Sequence, residues 1–371
     1  MPLEPFEPPE HRNADAPLVV VAMSGGVDSS VAAALLVEQG VRVVGLTMKT
    51  FCYSGTANNS KTCCGLEGIL DARRVAQTLG IPHYVVDMEE AFTRDVIDDF
   101  VHEYAAGRTP NPCVRCNSNT KIPDLLRRAR LMGAEAIATG HYARLEPAAS
   151  APPRLLRGRD PAKDQSYFLW GVPAEVLPAL RFPVGHLTKE EVRERARQLE
   201  LATADKPESQ EICFVPTGHY GDFLAGRLGE EHAALVPGPL VRPDGKVVGE
   251  HEGYARYTVG QRRRLGGGRG EPLYVLGVRP ERQEVVVGSA EELERSQVTL
   301  GDLNWLAAPP ETGERLRVQV RHRARPVAAR VRALSAERVE LELEQPQRAV
   351  TPGQSGALYR DEQLIGGGRI R

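Results

Sequence analysis

What this chain lacks narrows its function before anything it contains. No apolar run in its 371 residues approaches the ~20 needed to cross a bilayer, so no membrane partner is expected. The N-terminal stretch MPLEPFEPPEHRNADAP carries Glu4, Glu7 and Glu10 and has no apolar core of its own. That excludes a secretory signal and makes residues 1–17 a disordered tail. Cysteine is scarce, with six in all. Without a secretory signal, so few argue against a disulfide framework and for a reducing, cytoplasmic compartment. An excess of one charge is missing too: the formal net charge is −2, so any affinity for nucleic acid must come from local clusters of basic residues.

What is present begins with Leu18 to Met23, an unbroken apolar run that suits a buried parallel strand. Ser24-Gly-Gly-Val-Asp-Ser-Ser30 follows, then the helix former Val31 to Gln39, stopped at Gly40. A Gly-rich turn on a helix N-terminus is an anion site. Free N–H groups point outward there, and Gly25 and Gly26 have no Cβ to hold an anion away. No Gly-Lys-Ser/Thr follows, which removes the main support for ordinary γ-phosphoryl transfer. SGGVDSS instead resembles the pyrophosphate loop of enzymes that split ATP into AMP and pyrophosphate. Asp28 is placed to hold Mg²⁺ bridging phosphate oxygens, with Ser24, Ser29 and Ser30 as hydroxyl donors. The plainer alternative is a strand-to-helix turn with a capping serine.

The pattern then repeats. Val41 to Met48 reads as a second buried strand, Leu66 to Gly80 as an amphipathic helix, Ile81 to Met88 as a third strand, and Glu89 to Ala106 as a helix with Phe92, Val96, Phe100 and Tyr104 at i, i+4 spacing. A loop over 107–119 leads to a helix from Ile122 to Met132 and a strand from Ala134 to Thr139. Alternating strands and helices mean a parallel α/β sheet with ligands at the carboxyl ends of its strands, where Met48, the Asn111 to Cys116 loop and the Gly140-His141 turn fall. Further on, Thr188 and Glu191 form a capping box for a helix carrying Lys189, Arg193, Arg195 and Arg197. Those bases suit phosphates and a solvated surface equally well. Glu208 to Pro216, with Cys213, reads as a loop entering a strand. Beyond Pro237, short β-branched runs between turns predict two small all-β modules, over 231–294 and 295–371, after a nucleotide-binding unit over 18–230. Arg262 to Arg264 and Arg321-His-Arg-Ala-Arg325 cluster on these modules and suit an RNA backbone, with Tyr257 and His322 available to stack on bases.

Cys113 and Cys116 form a C-x-x-C on the expected active rim, and Cys213 stands alone. ATP that releases pyrophosphate adenylates an oxygen and makes it a leaving group. Sulfur to displace it can be carried on one cysteine as a persulfide, while a second thiol attacks the sulfur–sulfur bond and leaves a disulfide. Cys52, Cys63 and Cys64, in a polar loop, read as bystanders.

SGGVDSS, TGHYAR (139–144), KDQSYFL (163–169), the Cys213 segment, Gly249-Glu-His-Glu-Gly253, Tyr257-Thr-Val-Gly-Gln261 and Thr351-Pro-Gly-Gln354 occur in order, and together they resemble the tRNA-specific 2-thiouridylase family. The resemblance runs from about Val19 to the C-terminus. It implies a pyrophosphate-loop catalytic domain with a helical tRNA-contacting extension, two β modules of which the last is a β-barrel, and thiolation of a tRNA wobble uridine. Position by position, it implies ATP binding by Ala22, Met23, Ser24, Gly25, Gly26, Val27, Asp28, Ser29 and Met48, with Gly140 closing the pocket. Cys116 matches the nucleophile and Cys213 the persulfide carrier. Asn111, Pro112 and Cys113 match the stretch that meets the target base. His141, Lys163, Asp164, Gln165, Arg321, His322 and Gln354 match tRNA contacts. A sulfur-donor protein, a cysteine desulfurase or sulfur carrier, is the expected partner of a monomeric enzyme. Many members carry Asp where this chain has Cys113. That departure opens an alternative in which Cys113, Cys116 and Cys213 hold a 4Fe-4S cluster that donates the sulfide. Zinc would suit the same ligands but lacks an evident fourth. Rival readings are a nitrogen-using, ATP-pyrophosphate amidating synthetase and a non-catalytic RNA-binding protein.

Overall fold

The run Leu18–Ala22 (β1) is the central strand of a five-stranded parallel sheet. It lies between Arg42–Lys49 (β2) and Ala136–Ala138 (β4), with His83–Asp87 (β3) outside β2 and the two-residue strand Leu180–Arg181 outside β4. Each residue of β1 is buried, the reason an unbroken apolar run was needed there. Helices Val27–Glu38 (α1) and Leu66–Leu79 (α2) pack on the sheet through Val31, Ala32, Leu36, Ala72, Val75 and Ala76. The structure, a computed structural model, describes residues 16–50, 66–148, 152–208, 212–215, 219–263, 265 and 272–371. Cys52, Cys63, Cys64 and Arg264 lie outside the described residues, as do Met1 to Asp15 of the expected tail.

The chain divides into two compact units. One comprises Met1–Asp95, Arg115–Pro216 and Glu362–Leu364, and holds the parallel sheet. The other comprises Val96–Val114, Thr217–Asp361 and Ile365–Arg371. It contains a four-stranded sheet of Gly238–Val241, Val247–His251, Tyr274–Arg279 and Glu284–Gly288. Its second sheet runs Glu294–Trp305, Arg338–Arg348, Val327–Leu334, Arg315–Gln319, Ser355–Arg360, Gln363–Ile370 and back to Glu294–Trp305, a closed six-strand barrel. Val298, Leu300, Val318, Val331, Leu341, Leu358 and Ile365 fill it. The fold is therefore the expected α/β pyrophosphate-loop domain followed by two all-β modules, the last a barrel. Among the described residues no helix is long and apolar enough to cross a membrane.

Two local expectations change. The segment read as a loop over 107–119 turns helical at Pro112: an α-helical turn, Pro112–Arg115, runs into a π-helical stretch, Cys116–Lys121, and then Ile122–Leu131. The signal was present, because Asn111 accepts from the Val114 N–H through Oδ1 (3.4 Å) and Pro112 occupies the first helical position, a standard helix start. Around Cys213 the described residues, Ile212 to Val215, form a tight turn, closed by Val215 N–H to Ile212 O at 3.0 Å, in place of the expected entry into a strand.

Candidate active site

Met23 leaves β1 and hands the chain to Ser24, Gly25 and Gly26 before α1 begins at Val27. The turn is held by its own hydroxyls. Ser29 Oγ accepts from the Ser24 N–H (3.2 Å) and donates to Gly26 O (3.1 Å), while Ser30 Oγ donates to the same carbonyl (2.9 Å). Ser29 and Ser30 thus shape the loop, and no side chain among the described residues caps the Gly26–Val27 end of α1, which suits an anion. Gly140 lies against this turn from β4. A Cβ there would meet Ser29 N at 2.6 Å and the Asp28 carbonyl carbon at 2.7 Å. Met48 is the half-buried, next-to-last residue of β2, so Ala22 to Ser29, Met48 and Gly140 all stand at carboxyl ends of neighbouring strands or on the turns that leave them.

Asp28 is the centre of an alternating set of charges. The Tyr142 hydroxyl donates to its Oδ1 (2.8 Å), and Lys189 Nζ donates to both oxygens at 2.7 and 2.9 Å. Lys189 also reaches Glu208 (3.1 Å), and Lys163 completes the set by donating to Glu208 at 2.8 and 3.0 Å. Lys189 is only 7 % exposed. Burial pushes the Tyr142 hydroxyl upward, and the Asp28 carboxylate adds to that, so it stays protonated and a donor. Burial pushes the Glu208 carboxyl upward, but hydrogen bonds from Lys163 and Lys189 more than reverse this and hold it below its ordinary value. Asp28 keeps 31 % of its side chain exposed, and both of its oxygens already accept hydrogen bonds, so a Mg²⁺ there would have to share the carboxylate with Lys189 and Tyr142.

The stretch Lys163 to Leu169 ties this site to both cysteine segments of the same unit. Lys163 holds Glu208, five residues before Cys213. Gln165 Oε1 accepts from the Tyr142 N–H (3.1 Å), and Phe168 O accepts from the side-chain amide of buried Asn117 (3.3 Å), the residue after Cys116. Phe214, after Cys213, meets the edge of Phe92 with ring centroids 5.8 Å apart. Cys116 and Cys213 are both half-buried. Asp164 points inward, accepting from Arg157 (2.6 Å) and from the N–H groups of Gly158 and Ser166. His141 is buried, with Nδ1 2.6 Å from Thr139 Oγ1 and its ring edge-on to Phe182; burial, with Lys121 adding, keeps it neutral far below its ordinary pKa. Among the described residues no three His, Cys, Asp or Glu side chains are grouped to hold a metal ion.

In the second unit, Cys113 is exposed in the helical turn that begins at Pro112. Arg321 and His322 are exposed on the turn after strand Arg315–Gln319, where buried Gln319 donates to Arg321 O at 3.2 Å. Gln354 is half-buried, and its amide nitrogen donates to the carbonyls of Thr109 (3.1 Å) and Pro110 (2.8 Å). Tyr257 is not available for stacking: it is 5 % exposed beside the His251 ring.

Comparison with known proteins now decides the family. Residues 17–217 match a sequence family described as tRNA methyl transferase HUP domain, residues 221–289 its PRC-barrel domain, and residues 295–370 an aminomethyltransferase β-barrel domain. A tRNA-specific 2-thiouridylase MnmA of Geobacter metallireducens is 49 % identical over 95 % of this chain and 96 % of its own length. Proteins of the same name from Magnetococcus marinus and Acidithiobacillus ferrooxidans are 47 % and 48 % identical, again over 95 % of this chain, and 98 % and 97 % of their own lengths. The chain belongs to the tRNA-specific 2-thiouridylase family. Within that family's sequence pattern, Lys189 and Tyr142 are the side chains that residue-by-residue reading missed as partners of Asp28. Lys189 was visible only as one of several bases on a capped helix. Its fellows turn to protein instead, Arg193 to the carbonyls of Ala204 and Lys206 and Arg195 to Glu38.

Proposed function

We propose that the chain is an ATP-dependent tRNA-uridine 2-sulfurtransferase that converts the wobble uridine to 2-thiouridine. The observation that carries it is likeness to 2-thiouridylases along essentially the whole length of both chains, in a chain that carries Cys116 and Cys213. ATP would lie on the Ser24-Gly25-Gly26 turn, with N–H groups at the start of α1 towards the phosphates, and Asp28 would contribute a carboxylate to the accompanying Mg²⁺. The uracil O2 attacks the α-phosphorus, pyrophosphate leaves, and C2 then carries AMP as its leaving group. The terminal sulfur of a Cys213 persulfide attacks C2. Cys116, as thiolate, attacks Cys213 Sγ, so that a Cys116–Cys213 disulfide forms, the transferred sulfur stays on C2 and AMP departs with the former O2.

Asn111, Pro112 and Cys113 face the base. His141, Lys163, Asp164, Gln165, Arg321 and His322 serve the tRNA, Arg321 and His322 by direct contact and Asp164 and Gln165 by shaping the strip that carries them. A cysteine desulfurase or sulfur carrier loads Cys213, and the enzyme works as a cytoplasmic monomer. The steps above run through the two thiols alone; a 4Fe-4S cluster on Cys113, Cys116 and Cys213 is the alternative sulfur donor. The working divisions are the tail 1–17, the catalytic domain 18–230, the central β domain 231–294 and the barrel 295–371.

Cys213→Ser should abolish thiolation, read as 2-thiouridine by mass spectrometry of digested tRNA, and leave tRNA affinity within about twofold. Retained turnover would remove the relay. Iron content and absorbance of anaerobically purified protein address the donor separately, since an active, iron-free, colourless preparation ends the cluster alternative.

A further inference from the structure

The loop that delivers Asn111, Pro112 and Cys113 is fastened from below by the C-terminal barrel's own unit. Thr351 to Gln354 make a turn, with the Gln354 N–H on Thr351 O at 3.1 Å. The last barrel strand locks that turn, because the Gly353 N–H donates to Ile370 O (2.9 Å) and the Ile370 N–H to Gln354 O (2.7 Å). From this platform three bonds grip consecutive peptides of the loop. The Thr109 N–H donates to Pro352 O at 2.9 Å, and the Gln354 amide nitrogen bridges the carbonyls of Thr109 and Pro110. Both of those groups are acceptors only, so the amide must present its NH₂. Gly353 has φ +90°, and a Cβ on it would lie 2.9 Å from Thr109 N and O, so the approach needs glycine. Just upstream, Arg108 forms a two-pronged pair with Glu103, which is 3 % exposed.

We propose that Gln354 is a positioning residue: it sets the backbone from Thr109 to Pro110, and through it the Asn111 cap and the helical turn bearing Cys113, for reaction with the base. The inference rests on the thiouridylase reading and deepens it, for the barrel becomes the jig of the base-facing loop as well as an RNA-binding module. Both donors of the Gln354 amide are spent on Thr109 and Pro110. Its removal frees two carbonyls at the root of a helix start, and a displacement of about 1 Å at a reacting group can cost on the order of 100-fold in rate.

The test uses Gln354→Ala and Gln354→Glu, the second keeping the shape while losing the donor. Amide hydrogen exchange over residues 108–114 should quicken about tenfold in both, with strand Arg315–Gln319 unchanged. Single-turnover thiolation should slow by roughly 10- to 100-fold while tRNA Kd stays within about twofold. Weakened tRNA binding with unaltered loop exchange would overturn the proposal in favour of a direct RNA contact. Faster exchange throughout the barrel would reduce Gln354 to a stability residue, and a loosened loop with an unchanged rate would end its part in the reaction. Absence of thiolation in the unaltered protein would count against the proposed function, while the exchange measurement still reports on the clamp.

Discussion

At the scale of single residues, the head of the phosphate loop depends on a proton. Thr47 is 1 % exposed, with Oγ1 2.6 Å from Met23 O and 2.8 Å from His83 Nε2. A carbonyl only accepts, so the Thr47 hydroxyl donates to Met23 and its lone pair takes the Nε2–H of a neutral His83. The other ring nitrogen, Nδ1, is buried and has no hydrogen-bond partner among the described residues. Burial therefore lowers the His83 pKa to about 4, with Arg73 adding to the shift. A histidine depressed in the folded state takes up its proton more readily when unfolded. Its contribution is fully present above its ordinary value near 6.5 and is lost as the pH falls from there towards 4. The melting temperature should drop between pH 7 and pH 5, by roughly 2 to 4 °C for each kcal/mol lost, and His83→Gln should flatten that slope. Equal slopes in the two proteins would show that other groups set the acid limit.

At the scale of elements, the strands and helices of the parallel sheet were legible because each carries one dominant signal. β1 is an apolar run, α1 and α2 stop at Gly40 and Gly80 with φ +76° and +62°, and the helix from Lys189 starts with both bonds of the Thr188–Glu191 capping box. Where two signals compete, reading failed. Gly107, Pro110 and Pro112 made the Cys113 region look like a loop, although Asn111-Pro112 is also a helix start, and local chemistry alone gives no weight to either. The four-residue spacing of Phe92, Val96, Phe100 and Tyr104 predicts ordinary helix; all four are buried, but Thr93–Ile97 is a π-helical stretch that the spacing does not announce. Gly140 tests how tightly β4 and α1 must meet. In Gly140→Ala the new methyl overlaps Ser29 N and Asp28 backbone, so one side has to move, at a cost of about 1 to 3 kcal/mol. ATP affinity should fall more than tenfold by calorimetry, with the far-ultraviolet spectrum kept. Unchanged affinity would mean that the turn can shift without consequence for the nucleotide.

At the scale of the whole molecule, sequence order says which segments share a sheet rim but not which side chains close the circuit between them. The motif Lys163 to Leu169 reads in the sequence as a tRNA strip, and in the fold it is also the strut joining Asp28's neighbours to the segments after Cys116 and before Cys213. That second role depends on contacts between residues 45 or more apart along the chain, such as Asn117 with Phe168 and Lys163 with Glu208, which no periodicity encodes. Such a strut gives the two cysteine segments a common support, and a relay between their thiols makes a stoichiometric demand. Each sulfur transferred leaves one disulfide, and neither ATP nor tRNA can reduce it. Enzyme preloaded with persulfide and given ATP and tRNA without a reductant should make about one 2-thiouridine per chain and stop. Non-reducing peptide mapping should then find Cys116 joined to Cys213 in the stopped enzyme, and a dithiol together with fresh sulfur donor should restart it. Continued turnover without reductant would show that sulfur leaves Cys213 by a route that forms no disulfide, and Cys116 would lose its assigned part.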